Sequence, residues 1–267
     1  MINSNFHTHS LFCDGADTPE EMIEKALELN FNYLGFSGHS YLYCDREVTM
    51  NSVTEPQYKA TINELKDKYK GKINILCGIE QDYFSEKPNG YDYIIGSVHN
   101  VLKNGLFLSV DASAEVMYYN LKNYYNGDFD NFAEDYFALV ADVVNKTDCD
   151  IIGHFDLILK YSEKIGVGET DRYLKAAKSA IDALIPFNRL FEINTGAIAR
   201  GARSIPYPTP AVLKMIKEKG GKIIFSSDCH NKNHLNYYFK EAEELARKIG
   251  FTNYYILTEC GRKEIKL

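Results

Sequence analysis

Seven short strand-like runs, at 2–6, 33–37, 73–79, 92–98, 150–153, 190–194 and 222–227, most of them largely apolar and bounded by Gly, Asn, Asp or Pro, are predicted to be β-strands. Between most of them lie stretches with helical periodicity. The first helix is announced by Thr18-Pro19-Glu20-Glu21, in which Thr18 suits the cap, Pro19 the first helical position and Glu21 the return bond of a capping box. Thr54-Glu55-Pro56-Gln57 repeats the device before a helix expected to end near Gly71. Further helices are predicted at about 113–126, 129–146, 170–185, 210–219 and 236–249, several closed by Gly or Asn.

Strand and helix therefore alternate along the whole chain. Short, largely apolar strands in such an order favour a parallel sheet covered by helices, either open or closed into a barrel. The two differ in where polar strand-end residues fall: an open sheet gathers them at a switch point, whereas a barrel collects them from nearly every strand. Here nearly every strand contributes one, so an α/β barrel of seven strands is expected. No Pro/Gly/Ser-rich linker or internal repeat divides the sequence, and residues 1–267 are expected to form a single domain.

Composition narrows the partners. A formal charge of −7 argues against a surface built for a phosphate backbone, so a small molecule is expected in place of nucleic acid. Six widely spaced cysteines without a CxxC pair fit reduced thiols and a cytoplasmic location. No apolar run approaches the ~20 residues of a membrane span, and the chain passes from Met1 into a strand without the sections of a signal peptide. Twenty tyrosines and fifteen phenylalanines, with no tryptophan, suggest aromatic packing between layers.

The chemistry is concentrated at the strand ends. His7 and His9, two apart, share one face of an extended segment and can reach one ion, with Asp14 in the loop beyond. Asp228-Cys229-His230 repeats that spacing, and Glu80 ends the run at 73–79. His39, His99 and His154 each follow another run, which leaves only His234 elsewhere. A lone histidine in such a place is usually structural; six of seven so placed is a different matter. Mixed imidazole and carboxylate donors suit Zn, Mn or Fe, and nine of them exceed the needs of one ion. Bridging carboxylates would hold two or three divalent cations together, an arrangement suited to phosphate-ester hydrolysis.

The segments HTHSLFCDG, GHS at His39, GIE at Glu80, SVH at His99, GHFD at His154 and SDCH together resemble the polymerase-and-histidinol-phosphatase (PHP) metal-dependent phosphoesterases over the whole chain. The resemblance implies a distorted seven-stranded (β/α) barrel and a trinuclear site. On that likeness His7, His9, Glu80 and Asp228 would hold one ion and Asp14, His39 and His230 a second. Glu80 would bridge to a third, completed by His99 and His154. Asp14 matches a position where relatives can carry histidine.

The segment from Glu192 to Arg203 resembles the monofunctional branch that removes phosphate from L-histidinol phosphate in histidine biosynthesis. Its Gly-rich loop carries Arg200 and Arg203, whose planar forks suit phosphate oxygens; Arg200 is preferred. Lys160 is a candidate second cation, and Asp156 would orient a ligand histidine or contact the substrate amine. The expected reaction is in-line attack on phosphorus by a hydroxide held between cations, without a phosphoenzyme, with Asp228 or His230 returning a proton to the leaving alkoxide. The alternatives are a phosphoesterase of the same family acting on nucleotides and a metal-binding barrel without turnover.

Overall fold

The computed structural model describes residues 2–267; Met1, from which the leader expectation starts, lies outside them. All seven predicted strands form: β1 (Ser4–Asn5), β2 (Tyr33–Phe36), β3 (Asn74–Asp82), β4 (Tyr93–Ser97), then β7 (Ile151–Ile152), β8 (Leu190–Asn194) and β9 (Lys222–Ser226). They run parallel in the order β1-β2-β3-β4-β7-β8-β9. The interposed β5 (Asn100–Lys103) and β6 (Leu106–Ser109) make a separate antiparallel hairpin, as do β10 (Asn253–Thr258) and β11 (Gly261–Lys266) at the C-terminal end.

Closure of the ring rests on little backbone. Thr8 pairs with Cys229 in a single parallel bridge, the His9 amide donates to the Cys229 carbonyl (2.9 Å), and Asn5 donates through its side chain to Ser227 Oγ (2.6 Å). The sheet is thus a nearly closed α/β barrel, as expected.

Helices α1 (Pro19–Glu28), α2 (Thr54–Lys68), α3 (Ala114–Tyr124), α4 (Phe129–Thr147), α5 (Ser162–Ile165), α6 (Asp171–Leu184), α7 (Gly196–Ala199), α8 (Pro210–Glu218) and α9 (Phe239–Ile249) surround it. At α1 the capping box forms as expected, with Thr18 and Glu21 exchanging bonds. At α2 it does not: Asn51 Oδ1 accepts from the Thr54 amide (3.1 Å) while Thr54 Oγ1 accepts from the Asn51 amide (2.9 Å), so Thr54 lies inside the helix it was expected to cap. Asn51, three residues earlier, takes that role because its amide side chain reaches further than a hydroxyl, and Oδ1 accepts from the Val53 amide (2.9 Å) as well as that of Thr54. Among the described residues no helix is long and apolar enough to cross a membrane.

The layers are joined by aromatic rings. Phe137 of α4 meets Tyr173 of α6 edge-on (5.2 Å) and Phe155 behind β7 (5.4 Å), and Phe155 in turn meets Phe191 of β8 (6.0 Å). Inside the barrel the Tyr93 ring crosses beneath the strand ends, its hydroxyl 2.6 Å from the Phe6 carbonyl and 3.0 Å from that of Phe36. Two glycines make room for it: a Cβ on Gly78 would lie 2.2 Å from Tyr93 Cζ, and one on Gly35 2.4 Å from the hydroxyl. The layer above this ring is polar.

Candidate metal centre

His7 and His9 flank the bridging Thr8, and both imidazoles turn inward. His7 Nε2 lies 3.2 Å from Glu80 Oε2, and His9 Nε2 3.5 Å from the same oxygen and 3.2 Å from Asp228 Oδ1. Glu80 is placed differently from the expectation of a residue just past its strand, because β3 runs on to Asp82 to pair with β4 from Gly78. Beyond β2 the chain pairs once more with β3, at His39 and Glu80, and this sets His39 Nδ1 2.9 Å from Glu80 Oε2. The other oxygen, Oε1, faces His154 Nε2 (2.8 Å) and His99 Nε2 (3.3 Å) and accepts from Ser97 Oγ (2.7 Å). Asp14 stands at the outer side, 3.0 Å from His230 Nε2 and 3.7 Å from His39 Nε2.

All nine predicted ligands therefore meet at one rim. Their donor atoms form overlapping sets within reach of a single ion: His9, Asp14, His39 and His230; His7, His9 and Glu80; His39, Glu80 and His99; and His7, His154 and Asp228. His9 joins the outer set as well as the inner one, and His154 reaches toward His7 and Asp228 as well as Glu80, so the three groups implied by resemblance share more donors than expected. His234 packs instead against Tyr237, 5.4 Å away between ring centres.

The residues fit divalent cations. His7 Nε2, His9 Nε2, Glu80 Oε2 and His154 Nδ1 are buried without a hydrogen-bond partner, although buried polar atoms are normally paired. Burial alone would push the Glu80 carboxyl up, yet the imidazoles of His7, His39 and His99 hold it well below the usual carboxylate range. Asp228 is held low against burial by Arg200 and then His7. Burial, with His230 and His39 nearby, pushes His9 down to about 3, which leaves it neutral with a lone pair to give.

Over this rim lies a chamber of about 400 Å³, lined by Asp14, His39, Glu80, His99, His154, Asp228 and His230 together with Lys160, Arg200, Asp45, Asp82 and Asp111. Arg200, leaving the short α7, donates to the Asp228 carbonyl (2.9 Å) and to Asp228 Oδ2 (3.0 Å). Lys160 donates to the Asp111 carbonyl (2.9 Å) and lies 3.4 Å from its carboxylate. Two expected substrate contacts lie elsewhere. Arg203, 6% exposed, stacks over the Tyr207 ring at 4.5 Å, and buried Asp156 accepts from the Thr209 amide (2.8 Å); neither lines the chamber.

The sequence reading missed the residues behind the ligands. Asp82 accepts from His99 Nδ1 (2.9 Å), and its place two residues after Glu80 on the same strand face was a usable signal. Glu192 faces His7 Nδ1 (2.6 Å), from the one barrel strand that carries no ligand.

A barrel whose strand ends converge on buried imidazoles and carboxylates, roofed by a chamber with two cations, defines a metal-dependent hydrolase of phosphate esters. The chain belongs to the PHP domain family, which it matches over residues 5–196. It is 27% identical over 256 residues to the "Probable histidinol-phosphatase" of Deinococcus radiodurans, covering 91% of this chain and 92% of that one. With the histidinol-phosphatase of Bacillus subtilis the identity is 21%, over 90% and 98% of the two chains. Among solved structures, the histidinol phosphate phosphatase of Lactococcus lactis, complexed with zinc, L-histidinol and phosphate, superposes with a TM-score of 0.73 at 20% identity, covering 97% of this chain and 98% of that one.

Proposed function

We propose that this protein hydrolyses L-histidinol phosphate to L-histidinol and inorganic phosphate, using divalent cations held by His7, His9, Asp14, His39, Glu80, His99, His154, Asp228 and His230, three per chain. The observation that carries the reading is the convergence of all nine donors beneath a chamber that also holds Arg200 and Lys160. When bound, the cations would draw charge from the phosphoryl oxygens and lower the pKa of water at the site.

The chain's own residues do the rest. Arg200 and Lys160 grip the phosphate, Arg200 by exchanging part of its bond to Asp228 for phosphoryl oxygens. Asp228 or His230, both in contact with Arg200, would relay a proton to the leaving alkoxide, Asp228 only after taking one up because Arg200 and His7 hold its carboxyl low. Burial and then Asp111 raise the pKa of Asp45, half-buried at the chamber wall, so a cationic amine between the two carboxylates would be favoured. The substrate is small, and the whole chain works as one catalytic unit in the cytoplasm, where its six free thiols persist.

The test is phosphate release from L-histidinol phosphate, mononucleotides and short oligonucleotides by protein loaded in turn with Zn, Mn and Fe. The expected outcome is a kcat/KM for histidinol phosphate at least ~100-fold above the others, about 2.7 kcal/mol of discrimination. A preference for nucleotides would replace the substrate and keep the chemistry. No turnover of any ester by metal-replete protein would leave a binding barrel.

A further inference from the structure

Glu192 is the last charged residue of β8 and is wholly buried, yet none of the ligand sets includes it. Both its oxygens are fully engaged. Oε1 faces His7 Nδ1 (2.6 Å) and accepts from Ser226 Oγ; Oε2 accepts from the His154 amide (2.7 Å) and from Asn194 Nδ2 (3.0 Å). A carboxylate can accept about four hydrogen bonds, and this one receives four from four different residues. Asn194 in turn reaches Asp228 Oδ2 (3.4 Å) and accepts from the Gly196 amide (2.9 Å).

His7 must carry its proton on Nδ1 to donate to Glu192, and this leaves Nε2 as the bare lone pair facing Glu80 and Asp228. The other oxygen pins the backbone where the chain leaves β7, and so fixes where the His154 ring stands against Glu80. In the grouping that the family resemblance implies, His7 and His154 serve different ions, although both also stand in the set with Asp228.

We propose that Glu192 is a positioning residue that presents His7 to one cation and His154 to another, so that one carboxylate assembles two metal sites together. The inference rests on that ligand assignment. It makes Glu192→Gln a sharp probe, because the amide keeps the shape but offers one oxygen and one NH2 to four donors. An NH2 turned toward His7 forces its proton to Nε2 and removes the lone pair a cation needs. An NH2 turned toward His154 repels the backbone amide and Asn194.

The experiment is metal analysis of the full-length protein after dialysis against graded zinc, with the cobalt-loaded protein's visible spectrum as a second readout. Wild type is expected to hold three ions. Glu192→Gln, its fold checked by circular dichroism, should bind two of them 10–100-fold more weakly and alter the cobalt bands. Asn194→Ala, which removes one donor to Oε2, should weaken binding in the same direction by a smaller factor, and it decides the matter if Glu192→Gln does not fold. Unchanged affinities and spectrum in Glu192→Gln, or in Asn194→Ala where it must decide, would overturn the proposal. Selective loss of a single ion would overturn the shared role. If His7→Ala retains the full wild-type metal content, the ligand assignment itself fails, an outcome distinct from failure of Glu192 alone.

Discussion

Arg200 and Arg203 sit three residues apart in one Gly-rich loop, and nothing in their spacing separates a phosphate ligand from a structural cation. The fold separates them: after α7 the loop returns Arg200 to Asp228 at the chamber, whereas Arg203 turns away to lie over Tyr207. Arg200→Ala should therefore lower kcat/KM for histidinol phosphate by about 10²–10³, the usual effect of losing a donor to transition-state charge. Arg203→Met should leave KM within about twofold and lower stability by ~1–2 kcal/mol through the lost cation–π contact. Steady-state kinetics beside urea denaturation of both variants checks this, and the reverse pattern would exchange their roles. At this scale the convergence of the nine candidate donors was legible because imidazoles at so many strand ends are rare by chance. Glu192 was not, because its importance lies in four donors from four parts of the chain that no local pattern displays.

Elements were legible where the backbone signal is local. Ser113, Asp128, Thr170 and Thr209 all cap the helices that follow them, close to the predicted starts. The β5–β6 hairpin carried as strong a signal, Asn104-Gly105 between two apolar runs with both residues at positive φ, and it was overlooked beside the more regular strand–helix alternation. Strand length was harder, since β3 is extended by its parallel partner and not by its own composition. The same strand shows why a sequence cannot announce close packing. Gly78 reads as a weak point in a strand, yet it is the space that the Tyr93 ring fills. Gly78→Ala should destabilise the protein by about 3 kcal/mol in urea denaturation, and combining it with Tyr93→Leu should cost less than the two changes summed. Strict additivity would show that the ring does not set the glycine.

Across the whole molecule, burial sorts the six cysteines. Cys44 and Cys260 are exposed, while burial pushes Cys77 and Cys149 up to about 11 and Cys13 and Cys229 up to about 12. Because a raised pKa keeps the unreactive thiol until pH approaches that value, a thiol reagent at pH 8 should label two cysteines of the native protein and all six after denaturation. The barrel's seam has a larger consequence. Strands β1 and β9 meet through one bridge, Thr8 with Cys229, whereas β3 and β4 are joined through Gly78–Asp82 and Tyr93–Ser97. On either side of that bridge stand His7, His9, Asp228 and His230, so cations shared among them would tie the first strand to the last. Chelation should then loosen the seam before the rest of the sheet. The His9 amide, bonded to the Cys229 carbonyl, and the Ala16 amide, bonded to that of His230, should exchange with deuterium roughly tenfold faster or more in metal-free protein, each factor of ten marking about 1.4 kcal/mol of lost protection. Amides of the β3–β4 ladder should keep their rates. Uniform acceleration would mean that the metals stabilise the fold as a whole, and unchanged rates at His9 and Ala16 would mean that the backbone bridge and the Asn5–Ser227 bond close the barrel unaided.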